Sequence, residues 1–409
     1  MADYSPKAVR WIAGLLVFVA AGYLVAVPAA MLVWDAFFSE SRPTIQKLDD
    51  MTSADWIRIK SIEAIMAGIF FALGASIGSF LNVVAYRLPQ RIPLVFRRSR
   101  CPVCETPIEG RDNVPLWGWL KLGGRCRHCA TPIPLRYPLA EAAIGTIFLW
   151  LFAVQLISGG WNLPNRTPNV YTGVVWILLY TKWDLVAYYF YHTLLFSLLF
   201  VLLLIDCDRL KLSLRQVLVC SVWLCLPTLI WPALYFWPLH LTPWPVGDSL
   251  LQWLCGAGLG VVIGSALDRK SHLTVGLAWV GVALGWQAVL GVAAVTSVLR
   301  LIGTLAAWIW NRSRNTASSY WLTPASWTAW LLAGTLVHHS MWRLAVSCGS
   351  AYWPGDSVNT TLFILWTTLM TVLVVINKAV GYLPTYTNTR PSAQTEIPTP
   401  AQSPHSEGG

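Results

Sequence analysis

Four cysteines carry the most specific chemistry in the chain. Cys101-Pro-Val-Cys104 and Cys126-Arg-His-Cys129 are two CxxC knuckles, each able to present two thiolates to one tetrahedral ion. Zinc suits such a set in a structural role, and the flanking arginines favour the thiolate form of its ligands. A redox pair in either CxxC, or two unrelated pairs without metal, are the alternatives, although neither knuckle sits between a strand and a helix. His128 lies between ligands and reads as a bystander. Cys207, Cys220, Cys225, Cys255 and Cys348 are scattered in or near apolar runs and read as small packing residues.

Carboxylates at the ends of apolar runs offer a second chemistry. Asp206 and Asp208 follow Leu-Leu-Leu-Ile directly, at a hydrocarbon boundary where an ionisable group is costly and often marks function. The alternative is a pair of interfacial acids matched with Arg209 and Lys211. Asp268 ends another run, in Leu267-Asp268-Arg269-Lys270, where it is either a reactive acid or a helix-end charge paired with its neighbours. His338-His339 falls inside an apolar run and reads as polar packing, with a metal site as the alternative. Gly256, Gly258, Gly260 and Gly264 do not form a phosphate loop; at that spacing in an apolar helix they permit close helix packing.

The elements that position these groups are membrane spans. Of 409 residues, 56% are hydrophobic and only 12% charged, against about 25% charged in an ordinary soluble domain. Apolar runs long enough for a hydrocarbon core recur throughout the chain. About ten spans are expected: 10–34, 61–86, 138–157, 187–205, 216–236, 249–267, 274–286, 287–309, 322–343 and 359–379. The seventh is short and Gly285-Trp286 reads as a tight turn; the first has no small-residue cleavage site and reads as a retained anchor. The 24 Trp and 14 Tyr cluster near run ends, as interfacial aromatics do.

The net charge of +10 lies mostly in short loops, so it reports topology rather than a nucleic-acid partner; no basic helix or aromatic platform accompanies it. Loops 87–136, 206–215, 268–272 and 311–314 are basic and the alternating ones are not, which places the cysteine loop and both acidic segments on the cytosolic side. Disulfides are therefore not expected in the cysteine loop. By the same map Gly247-Asp248 lies across the membrane from Asp206. From about Pro384 the chain is rich in Thr, Pro, Ser and Gln and is expected to be disordered.

Residues 70–150 resemble one family. Gly78-Ser-Phe-Leu-Asn-Val-Val-Ala-Tyr-Arg-Leu-Pro89 is similar to the opening signature of type IV prepilin peptidases. The likeness continues in order through Cys101-Pro102 and Cys104, Asn113-Val114-Pro115, Gly124-Arg125-Cys126 and Cys129, Pro132-Ile133, Arg136-Tyr137-Pro138 and Glu141. Members of that family cut a short basic leader from prepilins and pseudopilins and then methylate the new N-terminal amine from S-adenosylmethionine. Their peptidase uses two aspartates at the cytosolic membrane face. The first lies in an I-D-x-D segment followed by L-P-D, the second in G-x-G-D-x-K.

Ile205-Asp206-Cys207-Asp208 matches the first segment, which makes Asp206 a catalytic candidate, while L-P-D is replaced by Leu212-Ser213-Leu214. The second segment departs further. Gly285-Trp286-Gln287-Ala288 is similar to an element downstream of the second aspartate, but counting back from it reaches Leu273, in Ser271-His272-Leu273, with no Asp or Lys in place. Two carboxylates sharing one proton are the requirement of that chemistry. Asp268 is the expected displaced second carboxylate; Asp208 is less suited, since side chains at i, i+2 diverge on a helix.

The resemblance thus implies an all-α polytopic membrane bundle with a cytosolic zinc-knuckle loop, in the bacterial inner membrane. Its expected organisation is an extra N-terminal span and external linker over 1–60, a methyltransferase-type half over 61–158, an aspartyl-peptidase-type half over 187–310, extra C-terminal spans over 311–383 and a tail over 384–409. The implied activity is leader removal from type IV prepilins or pseudopilins with N-methylation. The alternative is a protease-inactive relative that binds precursors or assembly partners, or retains only methyl transfer. Expected site residues are Asp206 and Asp268 for catalysis and Cys101, Cys104, Cys126 and Cys129 for structural zinc.

Overall fold

The structure, a computed structural model, describes residues 53–94, 99–164, 166–169, 172–235, 243–314, 326–348 and 360–381. The expected first span and the C-terminal tail lie outside these residues. Among the described residues the protein is all-α, with only two isolated β-bridges, both in the cysteine loop. The helices are α1 (Ser53–Arg87), α2 (Trp117–Lys121), α3 (Arg136–Leu151), α4 (Val174–Leu179), α5 (Trp183–Cys207), α6 (Leu214–Ile230), α7 (Pro245–Leu267), α8 (Leu273–Leu284), α9 (Trp286–Arg314), α10 (Trp327–Cys348) and α11 (Thr360–Gly381).

Among the described residues, five segments are long and apolar enough to cross a membrane: Arg58–Arg87, Arg136–Ile157, Trp183–Cys207, Pro245–Leu267 and Trp286–Ile309. Leu214–Ile230, Leu273–Leu284 and Leu365–Val380 are apolar but shorter. The ninth expected span is helix α10, whose His338, His339 and Arg343 lower its apolarity. The tight turn expected at the end of the seventh span is a single residue, Gly285, at φ +94°, which a side chain would strain. It lets α8 end at Leu284 and α9 begin at Trp286.

Small residues set the closest helix contacts. On α1, Gly74 and Gly78 lie against Phe148, Glu141 and Ile144 of α3, while Gly145 of α3 receives Phe71. On α7, Gly256 meets Gly281 of α8 so closely that a Cβ on either would strike the other's backbone. Gly260 and Gly264 meet Leu277 and Thr274 of α8 in the same way, as expected of the cluster, whereas Gly258 has no neighbour within 4 Å of where its Cβ would be. Gly281→Val should therefore lower stability by about 1–3 kcal/mol or more. Thermal unfolding in detergent checks this, and an unchanged midpoint would mean that α7 and α8 are free to separate.

His338 and His339 are both buried. His339 Nε2 lies 2.9 Å from Nδ1 of His192 on α5, which in turn lies 3.0 Å from Gln155 Oε1. The Asn162 amide donates to the His339 carbonyl at 3.2 Å. Among the described residues His192, His338 and His339 do not converge as a set of metal ligands, and the contacts of His339 with His192 and Asn162 join helices as polar packing would.

Candidate functional site

Hydrogen bonds gather three of the four basic loops at one end of the bundle. α6 starts with a capping box in which the Ser213 N–H donates to Gln216 Oε1 at 2.8 Å. The Gln216 amide then donates to the Leu88 carbonyl, tying the start of α6 to the end of α1. Arg136, at the start of α3, forms a two-pronged ion pair with Asp208 at the end of α5. Lys211 donates to the Lys270 carbonyl, joining the α5–α6 turn to the α7–α8 turn. Loops 87–136, 206–215 and 268–272 thus adjoin one another, as the charge map requires.

The cysteine loop folds as two copies of one knuckle. In the first, the Cys101 N–H donates to the Thr106 carbonyl at 3.1 Å and the Glu105 N–H to the Cys101 carbonyl at 2.9 Å. In the second, Cys126 and Ala130 repeat these bonds with Thr131 and Cys126 at 2.9 and 3.0 Å. Glu105 and Ala130 both have positive φ, +55° and +54°, the turn that brings each second cysteine back beside its first. Bridges at Arg100–Pro107 and Arg125–Pro132 close the two knuckles.

The four sulfurs meet within 4.8 Å of one another. Cys101 and Cys129 lie 3.7 Å apart, and Cys104 and Cys126 4.0 Å apart. A tetrahedron of zinc–sulfur bonds of about 2.3 Å has edges of about 3.8 Å, which the two short edges already match, so the chemistry and spacing of the set suit one such ion. Thr106, through its hydroxyl and its amide, holds the Cys104 thiol down at about 6. Thr131 pulls Cys129 the same way, but burial and the neighbouring sulfurs push it up to about 11. Cys104 is thus biased towards the thiolate, hydrogen bonds from the Cys129 and His128 backbone bias Cys126 the same way, and a bound ion would displace the protons that remain. His128 is exposed and outside the cluster. Arg127 closes onto Asp112 at 2.6 Å, joining the second knuckle to the connecting turn and holding that carboxyl below the usual range.

Below the loop, Glu141 of α3 accepts the Leu116 N–H at 2.6 Å. Leu116 sits at φ +62°, and this bond fixes the Pro115-Leu116 turn on the membrane bundle.

The acids behave differently from one another. Asp206 is nearly enclosed, its side chain 7% exposed, and its partner is His272 at the start of α8, 6% exposed. The His272 backbone N–H donates to Asp206 Oδ2 at 3.1 Å, and the ring Nδ1 meets Oδ1. Asp208 pairs with Arg136 rather than with Arg209 or Lys211. Asp268 accepts the Lys270 and Ser271 N–H groups at 3.2 and 2.9 Å, capping its own turn, and makes no hydrogen bond to Asp206. Burial alone would raise the Asp268 carboxyl, but the Ser271 hydroxyl and these amides outweigh it and hold it low. Nothing in the local pattern singles out His272; its one sequence signal is that it adjoins Leu273, the position that corresponds by spacing to the family's second aspartate.

Residues 72–155 match the model of the bacterial peptidase A24 N-terminal domain. A prepilin leader peptidase/N-methyltransferase of Myxococcus xanthus is 46% identical over 84 residues, 20% of this chain and 25% of that protein. The type 4 prepilin-like proteins leader peptide-processing enzyme of Escherichia coli is 36% identical over 147 residues, 27% of this chain and 54% of the relative. The chain thus spans a quarter and about half of those two relatives. A prepilin leader peptidase/N-methyltransferase of Aeromonas salmonicida is 30% identical over 302 residues, covering 64% of this chain and 89% of the relative. No solved structure matches the chain.

Proposed function

We propose that this chain, which belongs to the prepilin leader peptidase/N-methyltransferase family, removes the basic leader of type IV prepilins or pseudopilins at the cytosolic face of the bacterial inner membrane. Asp206 is the reactive carboxylate in this reading. The observation that carries it is an enclosed acid at one end of a multi-pass bundle, beside the cysteine loop, where a leader entering from the cytosol would lie. Asp268 serves by capping the turn that presents His272. Structural zinc holds the two knuckles together through Cys101, Cys104, Cys126 and Cys129. Methylation of the new N-terminal amine, with S-adenosylmethionine as donor, falls to the half built on α1, the cysteine loop and α3.

A second reading is supported by the histidine that stands against Asp206 where a second acid was expected: a relative that methylates or binds precursors without cutting them. Mass spectrometry of a prepilin co-expressed with this chain, in a strain without another prepilin peptidase, separates the two. A product lacking the leader and heavier by one methyl group is expected. A full-length precursor beside an active control peptidase would decide for the second reading.

A further inference from the structure

We propose that the Val114-Pro115-Leu116-Trp117 turn of the cysteine loop is a foot that stands in the bilayer, at the boundary of acyl chains and headgroups in the leaflet on that side. One bond sets its depth. The Leu116 N–H donates to Glu141 at 2.6 Å, and Glu141 belongs to the segment Arg136–Ile157, long and apolar enough to cross a membrane. It lies more than a turn into α3, about 7 Å along the axis from Arg136. Arg136 itself pairs with Asp208, where α5 ends. Leu116 therefore sits deeper in the bundle than the ion pair at its edge. At the same depth Gly78 of α1 stands against Glu141. Close by in sequence, Phe80 of α1 and Leu139 of α3 are exposed, so the helices present apolar surface to lipid where the foot meets them.

The backbone of the turn is prepared for such a place. A segment among lipid tails must satisfy its backbone donors from within the protein. Pro115 has no N–H to satisfy. Leu116 gives its own to Glu141, Trp117 to the Pro115 carbonyl at 2.6 Å, Gly118 to the Val114 carbonyl at 2.7 Å and Leu120 to the Leu116 carbonyl at 3.0 Å.

The side chains carry the same pattern. Trp119 is buried and its indole donates to the Ile133 carbonyl at 3.0 Å, so it belongs to the loop's own core. Trp117 does not: it is 63% exposed, and Val114 is exposed beside it. On α2, Trp117 and Lys121 are four residues apart, share one face and are both exposed. An indole at headgroup depth, with a lysine whose ammonium reaches the phosphates, is an interfacial anchor. The foot thus holds the stretch between the two knuckles on the bilayer, while the sulfurs hold the knuckles to each other, and the height of the metal site above the membrane is fixed from both ends. None of this depends on whether the chain cuts a precursor.

The test places the photo-crosslinking residue benzoylphenylalanine at position 117 of the full chain, reconstituted in vesicles of phosphatidylethanolamine and phosphatidylglycerol. Val103, 64% exposed on the first knuckle, is the position that should stay in water, and Val262, 64% exposed on α7, the one that must meet lipid. After irradiation, mass spectrometry of the peptides is expected to show at least about ten-fold more phospholipid adduct at 117 than at 103, since only the former lies at headgroup depth. Adduct at 117 no higher than at 103, while 262 labels, overturns the proposal. So does cross-linking of 117 to a second copy of the chain, or to an added precursor, in place of lipid; the face would then dock a protein. A second measurement uses W117E and W117L in the same vesicles. W117E should speed limited proteolysis between the knuckles several-fold at unchanged zinc content, and W117L should not, because a charge is expelled from the interface and leucine is not. Equal proteolysis of W117E and the parent would also overturn the proposal.

Discussion

Asp206→Asn is expected, on the proposed peptidase function, to lower leader cleavage by about 10³-fold, within the range that a group moving protons in the transition state contributes. The substitution keeps the size of the side chain and one acceptor oxygen, so His272 retains a partner and the turn between α7 and α8 should persist. What is lost is the capacity to take a proton from water. The comparison that gives the number meaning is Asp268→Ala. Its carboxylate is engaged by the Lys270 and Ser271 amides of its own turn, so removing it should slow cleavage by about ten-fold or less, through looser placement of His272. Both rates come from mass spectrometry of a prepilin incubated with each variant, and methylation of a leaderless substrate reports that the protein remains folded. An equal, severe loss in the two variants would instead make Asp268 a second reacting carboxylate brought in by movement of its turn.

The two halves of the site differ in how far the sequence reveals them, and the reason is range. The knuckles are local: each ligand pair is three residues apart, the flanking turns repeat, and the only distant step is the meeting of two similar loops. Glycine at 285 announced the reversal between α8 and α9, because its backbone angle is one that other residues resist. The spans were legible because apolar runs of bilayer length have few other uses. Partners across the bundle were not. Asp208 has Arg209 and Lys211 beside it in sequence, yet it takes Arg136, because the close packing of the helices brings the start of α3 against the end of α5. His339 finds His192 on another helix, and that pairing leaves no periodic trace. Asp206 and His272 are the extreme case. A lone histidine after a basic turn has no pattern of its own, and only the three-dimensional register of α5 against α8 makes it a partner.

Serine at Cys104 should cost the cysteine loop its order while leaving the membrane helices in place. Structural zinc in small knuckles is worth about 10–16 kcal/mol of coupled binding and folding at neutral pH, far more than the remaining contacts of this loop supply. Those contacts include the Arg127–Asp112 pair, the Glu141–Leu116 bond and the Trp119 indole donating to the Ile133 carbonyl at 3.0 Å. The parent protein should carry close to one zinc per chain, and Cys104→Ser well under about a tenth of that, because the thiolate most available at neutral pH has been removed. Limited proteolysis should then cut between the knuckles and spare α1 and α3. Acidification has the same sign: as pH falls the remaining thiolates take up protons in competition with the ion, so zinc leaves on lowering the pH and returns on raising it. Metal analysis and proteolysis of the two proteins, each over a pH series, check both expectations. A parent that holds no zinc with all four thiols reduced would sink the metal site, and the paired turns of the two knuckles would then have to be held by the protein alone.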